Sequence, residues 1–305
     1  MKSEEFTTAM VKVRHIAFLI SATLFVACSS EEQEATEAPA EGRSPVNITT
    51  RAEDGNAEGN LQAGLFMVNY QEDGPGELLP DGNYVNNQLL TWAGGAWQVR
   101  TPIYWTGMET RADFYAYAPF VGQIADARRM PFSVECDQST DEAFSQSDLL
   151  WGTVLGQSPT EADFELTLRH QLSRLTIVVA SGTGFEEGEL QASDVSITIG
   201  GTQTSALFDL QTGAISLTSD PAADVKCHCD GDLAYTAILL PQQVPFSNLI
   251  QVDWRGNKYT LQNAFKLEAR KQYTLTVNLK KTKSGFDIGI EGWDIISEDF
   301  GGVVG

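Results

Sequence analysis

The chain has 305 residues, of which 42% are hydrophobic and 10% aromatic, so it can build buried cores and is not disordered overall. Its formal net charge of −21 argues against a nucleic-acid binder, because such proteins cluster Lys and Arg where they meet phosphates. The same charge disfavours adsorption to anionic lipid head groups.

Residues 1–27 have the features of a secretory signal peptide. Lys12, Arg14 and His15 form a positive region, and residues 16–27 form an apolar run that is too short to span a bilayer. Cys28 follows Phe-Val-Ala, which resembles a bacterial lipobox, so we predict that Cys28 is acylated and anchors the chain to a membrane. An ordinary signal peptide with an incidental Cys28, or a short anchor helix, is the alternative. Met10 is an alternative start.

Residues 28–51 are predicted to form a disordered acidic tether. They are rich in Glu, Ala, Pro and Ser, a composition that cannot bury a core. Glu31, Glu32 and Glu34 resemble a signal that sends bacterial lipoproteins to the cell surface, although a generic solvated linker would look similar.

From residue 61 onward, apolar and polar residues alternate in short runs that are cut by turn residues. The clearest run has Tyr273, Leu275, Val277 and Leu279 on one face. This period is typical of half-buried β-strands, and about a dozen such runs predict an all-β protein. We expect two β-sandwich domains, at residues 52–160 and 161–305, with the boundary near the break at residues 156–163.

Three local features refine this reading. Residues 141–150 are the best helical candidate. The apolar register shifts after residue 170, which a bulge or a bend near Ser173 and Arg174 would accommodate. Residues 250–254 and 259–261 flank Arg-Gly-Asn, which predicts a hairpin.

The sequence has no motif that points to catalysis, so we do not expect an enzyme and expect no cofactor. Cys227, His228 and Cys229 could offer soft metal ligands, but a fourth ligand at suitable spacing is missing. We therefore read them as loop residues, or as partners for a disulfide with Cys136, and predict no metal site.

Six tryptophans could line a sugar-binding groove or pack in the core, and packing is the expected role. They are Trp92, Trp97, Trp105, Trp151, Trp254 and Trp293.

Several segments, taken in order, resemble the fimbrillin family of Bacteroides-type bacteria, the pilins of type V pili. They include the lipoprotein leader, the acidic tether and Ile-Thr-Thr-Arg-Ala at residues 48–52. The others are the aromatic run at 112–119, Ser-Asp-Leu-Leu-Trp-Gly at 147–152, residues 164–175, residues 268–279 and the Ile-Glu-Gly-Trp segment at 290–293.

The resemblance implies two transthyretin-like (Greek-key) β-sandwich domains and a precursor that reaches the surface as a lipoprotein. It also implies an Arg-specific protease that cuts after an arginine at the end of the leader. Arg51, followed by Ala52, fits that role, and Arg43 is the alternative.

Polymerisation by strand exchange is the further implication. Loss of the leader opens a groove in the first domain, and a strand from another subunit fills it. Residues 45–50 are the candidate for the displaced strand, and residues 286–304 contain a candidate donor, unless they form an ordinary edge strand.

We therefore predict a structural subunit of a type V pilus that serves adhesion. Its expected partners are other pilus subunits, the maturation protease and, before cleavage, the outer membrane. Its expected location is the outer membrane and then the extracellular fimbrium. The alternative is a monomeric, surface-exposed, glycan-binding lipoprotein. The short glycine-rich end after Trp293 leaves stalk and tip roles both open.

Overall fold

Strands dominate the computed structural model, which confirms the all-β prediction. The structure describes residues 43–52, 62–72, 74–93, 96–281, 288–290 and 295–299. Cys28, Trp293 and most of the predicted tether lie outside these residues. All the described residues belong to one compact unit.

A seven-stranded sheet occupies the first part of the described chain, in the order β1-β8-β7-β5-β2-β3-β4. Neighbouring strands are antiparallel except β1 and β8, which are parallel. Its strands are β1 (Ile48–Ala52), β2 (Gln62–Asn69), β3 (Val85–Ala93), β4 (Ala96–Val99), β5 (Ala112–Ala118), β7 (Leu150–Gln157) and β8 (Phe164–His170).

The middle of this sheet is buried on both faces. Every residue of β5 is buried, and so are six of the eight residues of β2. This matches the near-continuous apolar character of both segments, since a strand covered on two sides needs apolar side chains at odd and even positions.

A small sheet joins strands from distant parts of the sequence, in the order β12-β11-β6. It contains β6 (Met130–Ser133), β11 (Ser205–Asp209) and β12 (Ala214–Leu217). Met130, Phe132 and Phe208 from this sheet share a core cluster with Phe66 and Tyr117 of the seven-stranded sheet.

Two further sheets face each other across a second core. One runs β13-β10-β16-β17, and the other runs β14-β15-β9-β18, with β19 and β20 on the outer side of β18. Their strands are β9 (Ser173–Ser181), β10 (Val195–Thr202), β13 (Ala223–Lys226), β14 (His228–Gly231), β15 (Ala234–Leu239), β16 (Gln242–Trp254), β17 (Asn257–Leu267), β18 (Lys271–Lys281), β19 (Ile288–Ile290) and β20 (Ile295–Asp299).

The alternation predicted for β18 is confirmed. Tyr273, Leu275, Val277 and Leu279 are buried in the core between these two sheets. The predicted hairpin joins β16 and β17, with Arg255 and Gly256 at positive φ of 52° and 82° as a tight two-residue turn requires.

The predicted helix at residues 141–150 is present, but it is shorter than predicted. α1 (Asp141–Gln146) begins after Thr140, whose hydroxyl accepts a hydrogen bond from the Ala143 amide, and β7 already begins at Leu150. A 3₁₀ helix at Ala192–Asp194 is the other helical segment in the described ranges.

The register slip after residue 170 arises where the chain passes from one sheet to another, so the bulge alternative was wrong and the bend alternative is the nearer one. β8 ends at His170 and β9 begins at Ser173, and the two strands belong to different sheets. Each strand therefore has its own register, and no bulge within one strand is needed.

β8 also bears on the predicted domain boundary. Residues 164–170 pair with β7 and β1, although the predicted boundary assigns them to the second domain. The division into domains at residues 160 and 161 stays a prediction.

Candidate functional site

The segment that contains the predicted cleavage position is the edge strand β1. It lies at the end of the seven-stranded sheet, with Ile48 opposite Phe164 and Ala52 opposite Leu168. Thr49 adds a hydrogen bond from its hydroxyl to the Phe164 carbonyl at 3.3 Å. β1 is therefore joined to the sheet along β8.

The residues just before β1 are fixed on their other side by a second segment. The Val46 amide donates to the Ile103 carbonyl at 2.8 Å, and the Trp105 amide donates to the Ser44 carbonyl at 3.0 Å. Between them Pro45 lies opposite Tyr104 in an antiparallel bridge. Residues 44–52 are thus held on one side by residues 103–105 and on the other by β8.

The apolar side chains of this segment cover an aromatic cluster. Val46 is 8% exposed, and Ile48 packs against the same core. Beneath them the Phe114 ring lies 4.8 Å from Phe164 and 5.6 Å from Trp105, measured between ring centroids. Val46 and Ile48 act as a cover for this part of the core.

The burial of Val46 and Ile48 contributes only modestly to the stability of the protein. Burying one Val or Ile side chain stabilises by roughly 1.5–3 kcal/mol, so two such side chains account for only a few kcal/mol. The backbone pairing with β8 and with residues 103–105 therefore holds this segment together with its two buried side chains.

Arg51 and Ala52 lie inside β1. Their backbones pair with Thr167 and Leu168 of β8, so the Arg51–Ala52 bond is part of the parallel ladder. Arg43 is exposed and precedes the Pro45 bridge. The two candidate bonds therefore lie at opposite ends of the covering segment.

The C-terminal segment pairs with its own chain. Ile288 lies opposite Lys281, and Asp299 lies opposite Lys271, so β19 and β20 both run antiparallel to β18. The predicted donor region at residues 286–304 thus includes an edge strand of the second core, and part of it lies outside the described residues.

The two cysteines of the Cys-His-Cys motif lie in different environments. Cys227 is buried, and burial raises the pKa of its thiol well above the usual range, whereas Cys229 is exposed. β13 ends at Lys226 and β14 begins at His228, so no single strand carries the motif. Cys136, Cys227 and Cys229 are free thiols.

Within the described ranges, no group of three or more His, Cys, Asp or Glu side chains could hold a metal ion. None of the five described tryptophans is exposed, because Trp105 and Trp254 are buried and the other three are half-buried. A sugar-binding surface made of exposed tryptophans is therefore missing from this part of the chain.

A family model described as fimbrillin-like matches residues 50–293. The chain belongs to the fimbrillin-like family. This confirms the resemblance noted in the sequence. Members are structural and not enzymatic, and they serve as pilus or adhesion subunits at the cell surface or in extracellular fimbriae.

Solved structures share the fold of this fimbrillin-like chain. A candidate cell adhesion protein from Bacteroides uniformis superposes with a TM-score of 0.62 at 22% identity, covering 86% of this chain and 100% of that one. A candidate cell adhesion protein from Bacteroides ovatus gives a TM-score of 0.64 at 18% identity, covering 84% and 99%. No curated protein matches the sequence.

Two features of the fimbrillin-like chain escaped the sequence reasoning. The residues that hold Ser44 and Val46, at positions 103–105, come from an irregular segment without strand alternation. The parallel partner of β1 lies more than a hundred residues away. The cluster of Ile103, Tyr104 and Trp105 after Pro102 was the one available signal for a buried contact.

The described residues contain no helix that is both long and apolar enough to cross a membrane.

Proposed function

We propose that this chain is a type V pilus subunit that is exported as a lipoprotein through Cys28, cut after Arg51 and polymerised by strand exchange. The observation that supports the proposal is the position of β1, an edge strand that covers an apolar core and contains the Arg51–Ala52 bond.

Loss of β1 would create a site for a strand of another subunit. The outer edge of β8 would present unpaired N–H and C=O groups, and such an edge is a template for pairing with another chain. The places of Val46 and Ile48 would open beside Trp105 and Phe164. A strand with alternating apolar side chains supplies both the backbone bonds and the buried side chains.

The cleavage position decides whether β1 can leave. A cut after Arg43 keeps residues 44–52 attached to the sheet through the chain that follows them. A cut after Arg51 separates residues 48–51 from the rest of the protein, and these are four of the five residues of β1. Arg51 is therefore the arginine whose cleavage opens the groove.

The donor in this proposal is the C-terminal segment, which must leave β18 to reach another subunit. Among the described residues, β19 and β20 pair with β18 over three and five residues, and β18 pairs with β9 along its other edge. Both strands lie at the edge of their sheet, so they can leave β18 without breaking the pairing between β18 and β9.

The N-terminus of the protein recovered from producing cells tests the processing step. The proposal predicts mature protein that starts at Ala52, and a lipid-modified Cys28 in the protein from cells without the protease. The Arg51→Lys variant keeps the charge but removes the arginine, so it should retain the acylated N-terminus. Mature wild-type protein that begins at Ser44, or that keeps Cys28, would contradict the proposal.

A further inference from the structure

A cavity of about 440 Å³ opens between the end of β2 and the loop that leads to β3. Its lining includes Val68 and Asn69 of β2, and Gln71, Glu77, Leu79 and Tyr84 of the loop. Gly76 brings the loop close to β2, since a Cβ at this position would lie 2.6 Å from the Asn69 carbonyl oxygen. The volume is within the range of about 300–1,000 Å³ that small-molecule sites occupy.

Two apolar side chains in the lining are open to solvent. Leu79 is 47% exposed and Tyr84 is 43% exposed. The Tyr84 hydroxyl donates to the Tyr104 carbonyl at 2.8 Å, which fixes the ring in place. A fixed aromatic ring offers contact area at little cost in conformational entropy.

Amide side chains supply the polar part of the lining. Asn69 donates from Nδ2 to the Thr106 hydroxyl, while its Oδ1 is buried without a donor among the described residues. This oxygen is covered by protein atoms, so the side chain must turn toward the cavity to meet a ligand. A buried acceptor without a donor is costly, and a ligand hydroxyl would satisfy it. Gln71 is exposed at the rim.

The lining offers little net charge to a ligand. Glu77 is its charged residue, and it pairs with Arg128 outside the cavity. An anionic ligand would meet this carboxylate, and a cationic ligand would compete with Arg128. A neutral ligand avoids both costs.

We propose that this cavity binds a neutral sugar, one or two residues of a glycan. Sugar hydroxyls both donate and accept hydrogen bonds, as the amides of Asn69 and Gln71 do, and the C–H face of a pyranose packs against an aromatic ring such as Tyr84. The proposal goes beyond assembly by strand exchange and gives an adhesion subunit a class of receptor.

Saturation-transfer NMR on the purified, uncleaved protein tests the site. The probes are the methyl glycosides of mannose, galactose and N-acetylglucosamine, with methyl sialoside as the charged comparison. We expect at least one neutral glycoside to bind with a Kd of about 1 mM, a common strength for one small ligand. Tyr84→Ala and Gln71→Ala should each weaken binding about tenfold.

Two variants serve as controls. Tyr84→Phe keeps the ring and should lose less affinity than Tyr84→Ala. Phe246→Ala removes a 70% exposed aromatic side chain from β16, in another sheet, and should bind as the wild type does.

The proposal is overturned if no neutral glycoside binds, or if the sialoside binds as tightly as the neutral glycosides. It is also overturned if Phe246→Ala loses as much affinity as the two cavity variants. Unchanged binding in both Tyr84→Ala and Gln71→Ala would also overturn it. Because uncleaved protein is used, the outcome is separate from whether cleaved subunits assemble.

Discussion

Two carboxylates hold the ring of His228, one at each nitrogen. Nδ1 lies 2.9 Å from Asp230 Oδ1, and Nε2 lies 2.8 Å from Asp141 Oδ1. A neutral imidazole has one N–H and could donate to only one of them, so the protonated ring fits this geometry best. The Phe144 ring packs on the imidazole at 5.0 Å, so His228 fastens α1 to β14.

The charges around His228 set the direction of its pKa shift. Burial alone would lower the pKa, but hydrogen bonds and attraction to Asp230 and Asp141 outweigh burial and raise it above 6.5. A raised folded-state pKa stabilises the protein fully below the unfolded-state value near 6.5, and that contribution is lost as the pH rises through the folded-state value.

We expect the wild type to lose stability relative to His228→Gln as the pH increases from about 5 to about 8 and passes through the raised folded-state pKa. The Gln side chain keeps hydrogen-bonding capacity but does not titrate. Urea unfolding midpoints of the two proteins, compared at each pH, measure the difference. If that difference does not change with pH, the ring is not held as an imidazolium. Asp141→Asn should shrink the same difference.

The sequence could place His228 in an unusual motif but could not reveal this role. Its partner Asp141 is 87 positions away and belongs to a different element. Neighbouring cysteines suggested metal chemistry, whereas the side chains that contact the ring are carboxylates and a phenyl group.

At the scale of elements, β7 and β8 approach so closely that one position must be glycine. A Cβ at Gly152 would lie 2.0 Å from the carbonyl oxygen of Thr167, the residue opposite Arg51 in β1. A methyl group here must push β8 away from β7, and β1 is attached to β8.

Gly152→Ala should therefore destabilise the protein by about 1–3 kcal/mol, the usual cost of overpacking, and should speed proteolytic cleavage after Arg51. Urea unfolding and the rate of cleavage by an Arg-specific protease measure the two effects. Gly107→Ala is the matched control, since a Cβ there meets nothing within 4 Å. Equal midpoints and equal cleavage rates for the two variants would refute the role assigned to Gly152.

The positions of strands could be predicted from the sequence far better than the pairing between strands. The alternation of Tyr273, Leu275, Val277 and Leu279 identified β18, because one face of that strand is buried. Nothing in that alternation reveals that β18 runs parallel to β9, about a hundred residues earlier. Pairing over such distances depends on how whole sheets pack, which local patterns do not record.

The candidate site also depends on contacts between distant segments that the sequence could not reveal. The family resemblance implied Arg51 as the cleavage position, with Arg43 as the alternative, and residues 45–50 as the displaceable strand. That this strand pairs with β8, and that residues 103–105 fix its start, follows from tertiary contacts between distant segments. The cavity beside Tyr84 was not predicted, since loop residues without periodicity give no sign of the space between them.

At the scale of the whole molecule, the fold favours association between subunits and the net charge opposes it. Edge strands can pair with strands of other chains, whereas a net charge of −21 makes identical subunits repel each other. Long-range repulsion between exposed charges is screened at physiological salt, so assembly is expected there once an edge is opened. Under the proposed function, cleavage after Arg51 opens this edge.

The most direct test treats the purified protein with a trypsin-like, Arg-specific protease at about 0.15 M salt and measures assembly by size and by resistance to SDS. We predict a ladder of SDS-resistant species for the wild type and for Arg43→Lys, and none for Arg51→Lys. Wild-type protein that is cut after Arg51 and stays monomeric, also when mixed with its cognate subunits, would contradict the account.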